Sequence, residues 1–220
     1  MKPLQDDNSP ARAPDLRALR AAAPLLGALL EYPSDDHLTL ARVAASAFAG
    51  CDPSIARALT EHADHWAAQP EPQRALQESY TQTFDLAPRC TLLVSVHLFG
   101  PESFERAQMM AGLVGSYAEA GFTQRATELP DHLSELLRAA PLLPEALWVD
   151  LAVCCLSNAL TRMLRLTDDP RAPNPWRFLL RAVDALVRAE VEASGLTPPP
   201  PPSISSAARA ERSQQEAPHV

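Results

Sequence analysis

Apolar side chains recur at steps of three and four along most of this chain, between proline-rich and polar breaks. That period lines one face of a helix. The first stripe is Leu16, Leu19, Ala23, Leu26 and Leu30, over about Asp15 to Glu31, with Pro24 expected to divide or kink it. A second helix is predicted from Asp35 to Phe48. A third opens at Pro53 behind the N-cap residue Asp52 and repeats Ile55, Leu59, His62 and Trp66. Leu76, Tyr80 and Phe84 form a fourth stripe at i, i+4 spacing.

After a break at Asp85–Pro88, the segment Thr91 to Phe99 is ambiguous. Its run Leu92-Leu93-Val94-Ser95-Val96 suits a strand by β-branching, but one strand has no evident partner, so a short helix is predicted. Glu102 to Ala120 reads as a longer helix with Met109 or Met110, Leu113 and Tyr117 inward and Gly121 just past its end. Asp131 to Ala140, Pro144 to Leu166 and Pro175 to Ala193 complete the set. Asn174 should cap the last helix and Gly195 end it. Leu142 to Leu160 is the most apolar stretch; Glu145, Asp150 and Asn158 interrupt it, which marks a core helix and not a membrane span.

Composition sharpens this picture. With 22 Pro against 7 Gly, the chain is poor in the glycine turns of sandwiches and barrels and lacks a glycine-rich phosphate loop. An all-α, single-domain helical bundle over residues 15–196 is therefore expected. Residues 1–14 read as a flexible N-terminal segment and residues 197–220 as a proline-rich disordered tail, since neither carries apolar anchors. The start, Met1-Lys2-Pro3-Leu4-Gln5, has no apolar h-region, so no signal peptide and a cytoplasmic location are expected. A net charge of −8 argues against nucleic-acid binding, which needs clustered Lys and Arg.

Candidate chemistry is sparse. There is no Gly-x-Ser-x-Gly, no Cys-x-x-Cys and no His-Glu-x-x-His. His62 and His65, three apart beside Glu61, suggest a metal site only weakly, because they point in different directions and no further ligands are in view; no metal is expected. Cys154 and Cys155 read as buried thiols in the core helix, and Cys90 beside Arg89 lacks a base to make it a nucleophile. No enzyme activity and no cofactor are expected. Two pieces do gather polar residues, Tyr80-Thr81-Gln82-Thr83-Phe84-Asp85 and Glu128-Leu129-Pro130-Asp131-His132-Leu133. Pro130 and Asp131 suit the start of a helix, with the carboxylate at its positive end and Leu129 stapled onto the first turn.

Those two pieces, with their neighbours, carry a family resemblance. From about Leu25 to Ala140 the chain resembles the NarJ-type assembly chaperones of respiratory nitrate reductase, relatives of the TorD/DmsD group. Leu25 to Pro33 (LLGALLEYP) is similar to the family's opening helix, and YTQTFD at 80–85 to its "YVxTFD". Arg89-Cys90-Thr91-Leu92 is similar to "RRCSLYLT", Tyr117 to Phe122 to "YxxAGF", and ELPDHL at 128–133 is the most specific piece. Pro101 and the loss of a second glycine after Gly100 depart from the family pattern, as does Leu136-Leu137-Arg138 after ELPDHL.

The resemblance implies a TorD-like all-helical chaperone. Its partner would be the N-terminal segment of the nitrate reductase catalytic (alpha) subunit, held for molybdenum cofactor insertion and assembly before membrane docking. The alternative partner is another molybdoenzyme or a twin-arginine-exported redox enzyme. By the same resemblance the candidate client-binding residues are Tyr80, Phe84, Asp85, Arg89, Tyr117, Glu128, Pro130, Asp131 and His132.

Overall fold

Helix boundaries fall where the capping residues put them. The computed structural model describes residues 14–86, 90–168 and 174–200. Helix α1 (Leu16–Leu29) starts behind Asp15, whose carboxylate accepts from the Ala18 N–H at 3.1 Å. Helix α2 spans His37–Ala49 and α3 Pro53–Ala67, the latter capped by Asp52 as the Asp-Pro pair predicts. Pro24 lies inside α1 and does not divide it. The flanking Ala23, Leu26 and Gly27 are buried, and that packing holds the helix together where proline removes a backbone bond. Gly27 makes the closest approach, against the helix α7 (Leu133–Ala139). A Cβ there would stand 2.8 Å from the Ser134 carbonyl oxygen, so only glycine fits.

Helix α4 (Pro72–Tyr80) continues into one π-helical turn, Thr81–Asp85. Leu76, Tyr80 and Phe84 are all buried, as their spacing predicts. Helix α5 (Val94–Phe99) is the short helix expected, but the strand-like residues before it also find a partner. Leu93 and His132 form an isolated antiparallel bridge, and no strand occurs among the described residues. Helix α6 (Phe104–Glu119) is capped by Ser103 and ends at Gly121 with φ 68°.

The long helix is α8 (Glu145–Leu151), a π turn at Ala152–Leu156, and α9 (Ser157–Thr167). By length and composition alone Glu145–Thr167 could cross a membrane, which the sequence reading did not allow. Its buried face, with Trp148, Leu156, Leu160 and Met163, is packed inside the bundle. Cys154 in the π turn is exposed and Cys155 only partly buried, which corrects the expectation of two buried thiols. Helix α10 (Arg177–Ser194) begins where the Asn174 side chain accepts from the Trp176 N–H at 3.0 Å, and Gly195 closes it with φ 66°. It lies at the centre of the fold, against α3 and α9 and in touch with α1. The terminal segments expected to be flexible lie mostly outside the described residues; within them, the Asn158 amide donates to the Pro199 carbonyl at 2.9 Å.

At the core, α2 and α3 bring together two buried histidines. His37 Nε2 and His62 Nε2 are 3.0 Å apart, one donating and the other accepting, and Trp66 and Trp176 pack against His62. His62 is therefore a core residue, and no metal-ligand cluster occurs among the described residues. Burial lowers His37 to about 4, and burial followed by the proximity of His37 and His65 holds His62 well below its ordinary value. The unfolded chain protonates near 6.5, so this pair's contribution is complete above that pH and declines as pH falls toward 4. For His37 alone, the expected loss between pH 7 and pH 5 is about 2 kcal/mol. Urea unfolding at both pH values, beside a variant carrying His37→Leu and His62→Leu, would measure it; the variant should show a smaller loss.

Candidate functional site

Three segments far apart in sequence converge on one surface: the end of α1, the π turn after α4, and the loop from Gly121 to His132. Tyr80 ties the first two. Its hydroxyl donates to the Leu30 carbonyl at 3.1 Å, and its ring meets Tyr32 and Phe84 edge-on at 5.6 and 5.1 Å. Arg125 ties the third. Its guanidinium donates to Glu135 Oε1 at 2.6 Å and to Ser134 Oγ at 2.8 Å, and it forms an ion pair with Glu31. Glu135 is fully buried and also accepts from Arg138 at 2.8 Å. Burial would raise this carboxyl, but the Arg125 side-chain and backbone donors and then Arg138 hold it below its ordinary value.

Around this knot stand the partly exposed carboxylates Glu31, Asp85 and Glu128. They lie near enough to one another and to Tyr80 to act on its phenol, which burial first, and then Asp85, Glu128 and Glu31, push far above 10. Burial raises Asp85, and burial raises Glu128 with Glu135, Glu31 and Asp85 adding to it against Arg125. Beside them Tyr32 is 57% exposed and Leu86 71% exposed. The two help line an open pocket of about 430 Å³ with Arg74, Gln77, Glu78, Thr81 and Gln82. An acidic patch next to exposed aromatic and aliphatic side chains fits a peptide with basic and apolar residues.

The structure sorts the nine residues nominated from sequence. Asp85 is exposed and Glu128 partly so. Tyr80, Phe84, Tyr117, Pro130 and Asp131 are buried, which makes them supports of this surface and takes their side chains out of reach of a ligand. Tyr117 donates to the Pro130 carbonyl at 2.7 Å and so fixes the loop to α6. Arg89 lies outside the described residues.

ELPDHL also does a different structural job from the one expected. Asp131 does not start the following helix; it caps α5 from 36 residues away. Its Oδ2 accepts from the Ser95 N–H at 3.2 Å and from the Ser95 hydroxyl, while its carbonyl accepts from the Val94 N–H at 3.0 Å. His132 is the N-cap of α7, with Nδ1 accepting from the Ser134 N–H at 3.3 Å. It is 12% exposed, and burial, with Arg125 adding, lowers it to about 4. It is thus neutral at pH 7, so its 3.7 Å approach to Glu128 is not an ion pair. Leu129 is exposed and staples nothing.

Glu31, Tyr32, Leu86, Arg125 and Glu135 were not nominated. Glu31 and Tyr32 sit within the LLGALLEYP segment, which carried a signal for them. Leu86, Arg125 and Glu135 had none, since nothing local says what they meet.

Residues 45–148, just under half of the chain, match the family described as nitrate reductase delta subunit. That segment is similar to this family, whose role is chaperoning nitrate reductase assembly, and the match bears out the resemblance to NarJ-type chaperones. It spans the π turn and the loop that build the acidic surface, while Glu31 and Tyr32 lie before it. No curated protein matches the chain.

Proposed function

We propose, from this match to the nitrate reductase delta-subunit family, that the chain is a cytoplasmic chaperone that binds the N-terminal segment of the nitrate reductase alpha subunit. It holds that subunit while molybdenum cofactor is inserted, before membrane docking. The reading is of a binding protein and not of an enzyme. The observation that carries it is the acidic surface of Glu31, Asp85 and Glu128 beside exposed Tyr32 and Leu86. A basic, apolar peptide is complementary to it in both respects. The carboxylates speed encounter with the peptide and orient it, and the apolar contacts slow its release, since exposed ion pairs are worth only about 0–1 kcal/mol each.

Asp85→Ala tests the site with the least structural disturbance, because Asp85 is exposed and such substitutions usually cost within about 0.5 kcal/mol. His132→Ala is a poorer probe, since it removes the cap of α7. Titration of the alpha-subunit N-terminal peptide should show Asp85→Ala and Leu86→Ala each weakening binding about three- to tenfold with an unchanged melting temperature. Raising salt should slow association and leave dissociation nearly unchanged. Unaltered affinity in both variants would remove the client from this surface.

A further inference from the structure

Past Gly195 the chain stays against the bundle for a few residues. The Asn158 amide of α9 donates to the Pro199 carbonyl at 2.9 Å, and Pro198 is partly buried. Pro198–Pro202 is a run of five prolines, a stiff spacer that advances about 3.1 Å per residue. The next segment, Ser203–Arg212, sets Arg209 and Arg212 among Ile204, Ala207, Ala208 and Ala210, against the single carboxylate Glu211. No other arginine follows Arg188, and no lysine follows Lys2. A basic, apolar segment thus stands just beyond a spacer, in a chain whose net charge is −8.

The acidic surface is short of cations. Among the described residues, Arg125 pairs with Glu31 and Glu135, and no arginine forms an ion pair with Asp85 or Glu128. Burial raises Glu128, with Arg125 opposing and Glu135, Glu31 and Asp85 adding to it. The spacer and this surface are also within reach of each other. Asn158 precedes Met163 on α9, the Met163 carbonyl is 3.9 Å from Cys90 Sγ, and the Cys90 N–H donates at 3.1 Å to Thr83. Thr83 belongs to the π turn of Asp85. These links place Pro199 on the order of 25 Å from Asp85, and no more than about 40 Å. The chain from Pro199 to Arg212 extends up to about 43 Å.

We propose that Ser203–Arg212 docks on the acidic surface of its own chain, with Arg209 and Arg212 beside Asp85 and Glu128, and so competes with the client. The docking follows from charge and reach; the competition rests on the reading of this surface as the client site. Tethering holds the segment at an effective concentration of about a few millimolar. A contact with an intrinsic Kd near 1 mM then covers the carboxylates most of the time and weakens a competing peptide about two- to fivefold.

Two measurements on the full chain test this. Arg209→Lys supplies a probe amine in a chain whose only lysine is Lys2. A carbodiimide, which joins amines directly to carboxylates, should link it to Glu31, Asp85 or Glu128 within one molecule at low protein concentration, as read by peptide mass spectrometry. Salt at about 0.5 M should suppress the link. In the second measurement, Arg209→Gln with Arg212→Gln should tighten binding of the alpha-subunit N-terminal peptide about two- to fivefold at low salt, a gap that closes as salt rises. Arg57→Gln with Arg165→Gln changes the net charge equally at exposed positions and serves as the control. Links that are absent, confined to other carboxylates or formed between two molecules overturn the proposal. So does a double variant that binds the peptide no better than the control. Failure of the peptide to bind any of these proteins would overturn the client reading instead, and the cross-link would still decide the docking.

Discussion

Trp176→Ala is expected to cost about 3–5 kcal/mol, the usual range for deleting a fully buried large aromatic side chain. Trp176 sits at the start of α10, and its ring meets His37, His62, Trp66, Tyr80 and Phe84 at centroid distances of 5.3 to 6.1 Å. It therefore joins α2, α3, the α4 segment and α10 at one point. Neighbours anchored on three other segments cannot all move inward at once, so a cavity remains. With domain stabilities of about 5–15 kcal/mol, the variant would be marginal. The effect should reach the acidic surface too, because Trp176 backs the two rings that position the π turn before Asp85 and Leu86. Trp176→Phe should recover most of the stability, since it retains a ring and removes an indole N–H that has no partner among the described residues. Denaturant unfolding of both variants checks this, and equal losses would mean that volume at this point is not what matters.

Glu135→Ala is the second large effect, about 3 kcal/mol. Removing one partner of a buried ion pair leaves the other charged and poorly solvated, at about 3–5 kcal/mol. The lower end applies because Arg125 and Arg138 remain partly in contact with solvent. Glu135 also accepts from the Arg125 backbone N–H at 3.2 Å, so the substitution releases the loop that carries Glu128. Peptide affinity should fall with stability in this variant, whereas Asp85→Ala should lower affinity alone. Glu135→Gln keeps the acceptor oxygen and should lie between the two. Chemical denaturation beside peptide titration separates these outcomes; a Glu135→Ala protein of unchanged stability would mean that the arginine knot contributes nothing net.

The sequence determined which segments are helical and which faces are buried. Asp52-Pro53, Asn174-Pro175 and Gly195 set boundaries through bonds to residues two or three positions away, and Ile55, Leu59, His62 and Trp66 occupy one face by period alone. Such signals act within a turn or two of helix, so they are legible in the linear chain. The two motif pieces were also visible as clusters of polar residues, and the order of the family motifs pointed to the same assembly role that the match over residues 45–148 supports.

Only the tertiary structure decided what those polar groups meet. Asp131 looks like the cap of the helix beside it, but it caps α5, because the bridge between Leu93 and His132 brings the two segments together. His37 and His62 are 25 residues apart, and nothing local pairs them until α2 packs on α3. Pro24 looks like a break, yet burial on both sides keeps α1 intact. The acidic surface itself comes from Glu31, Asp85 and Glu128 on three separate segments, gathered by the hydroxyl of Tyr80 and the guanidinium of Arg125. A helix stripe or a cap is a short-range property of the chain. The partner of a buried polar group is set by which helices pack together, and that depends on the whole core.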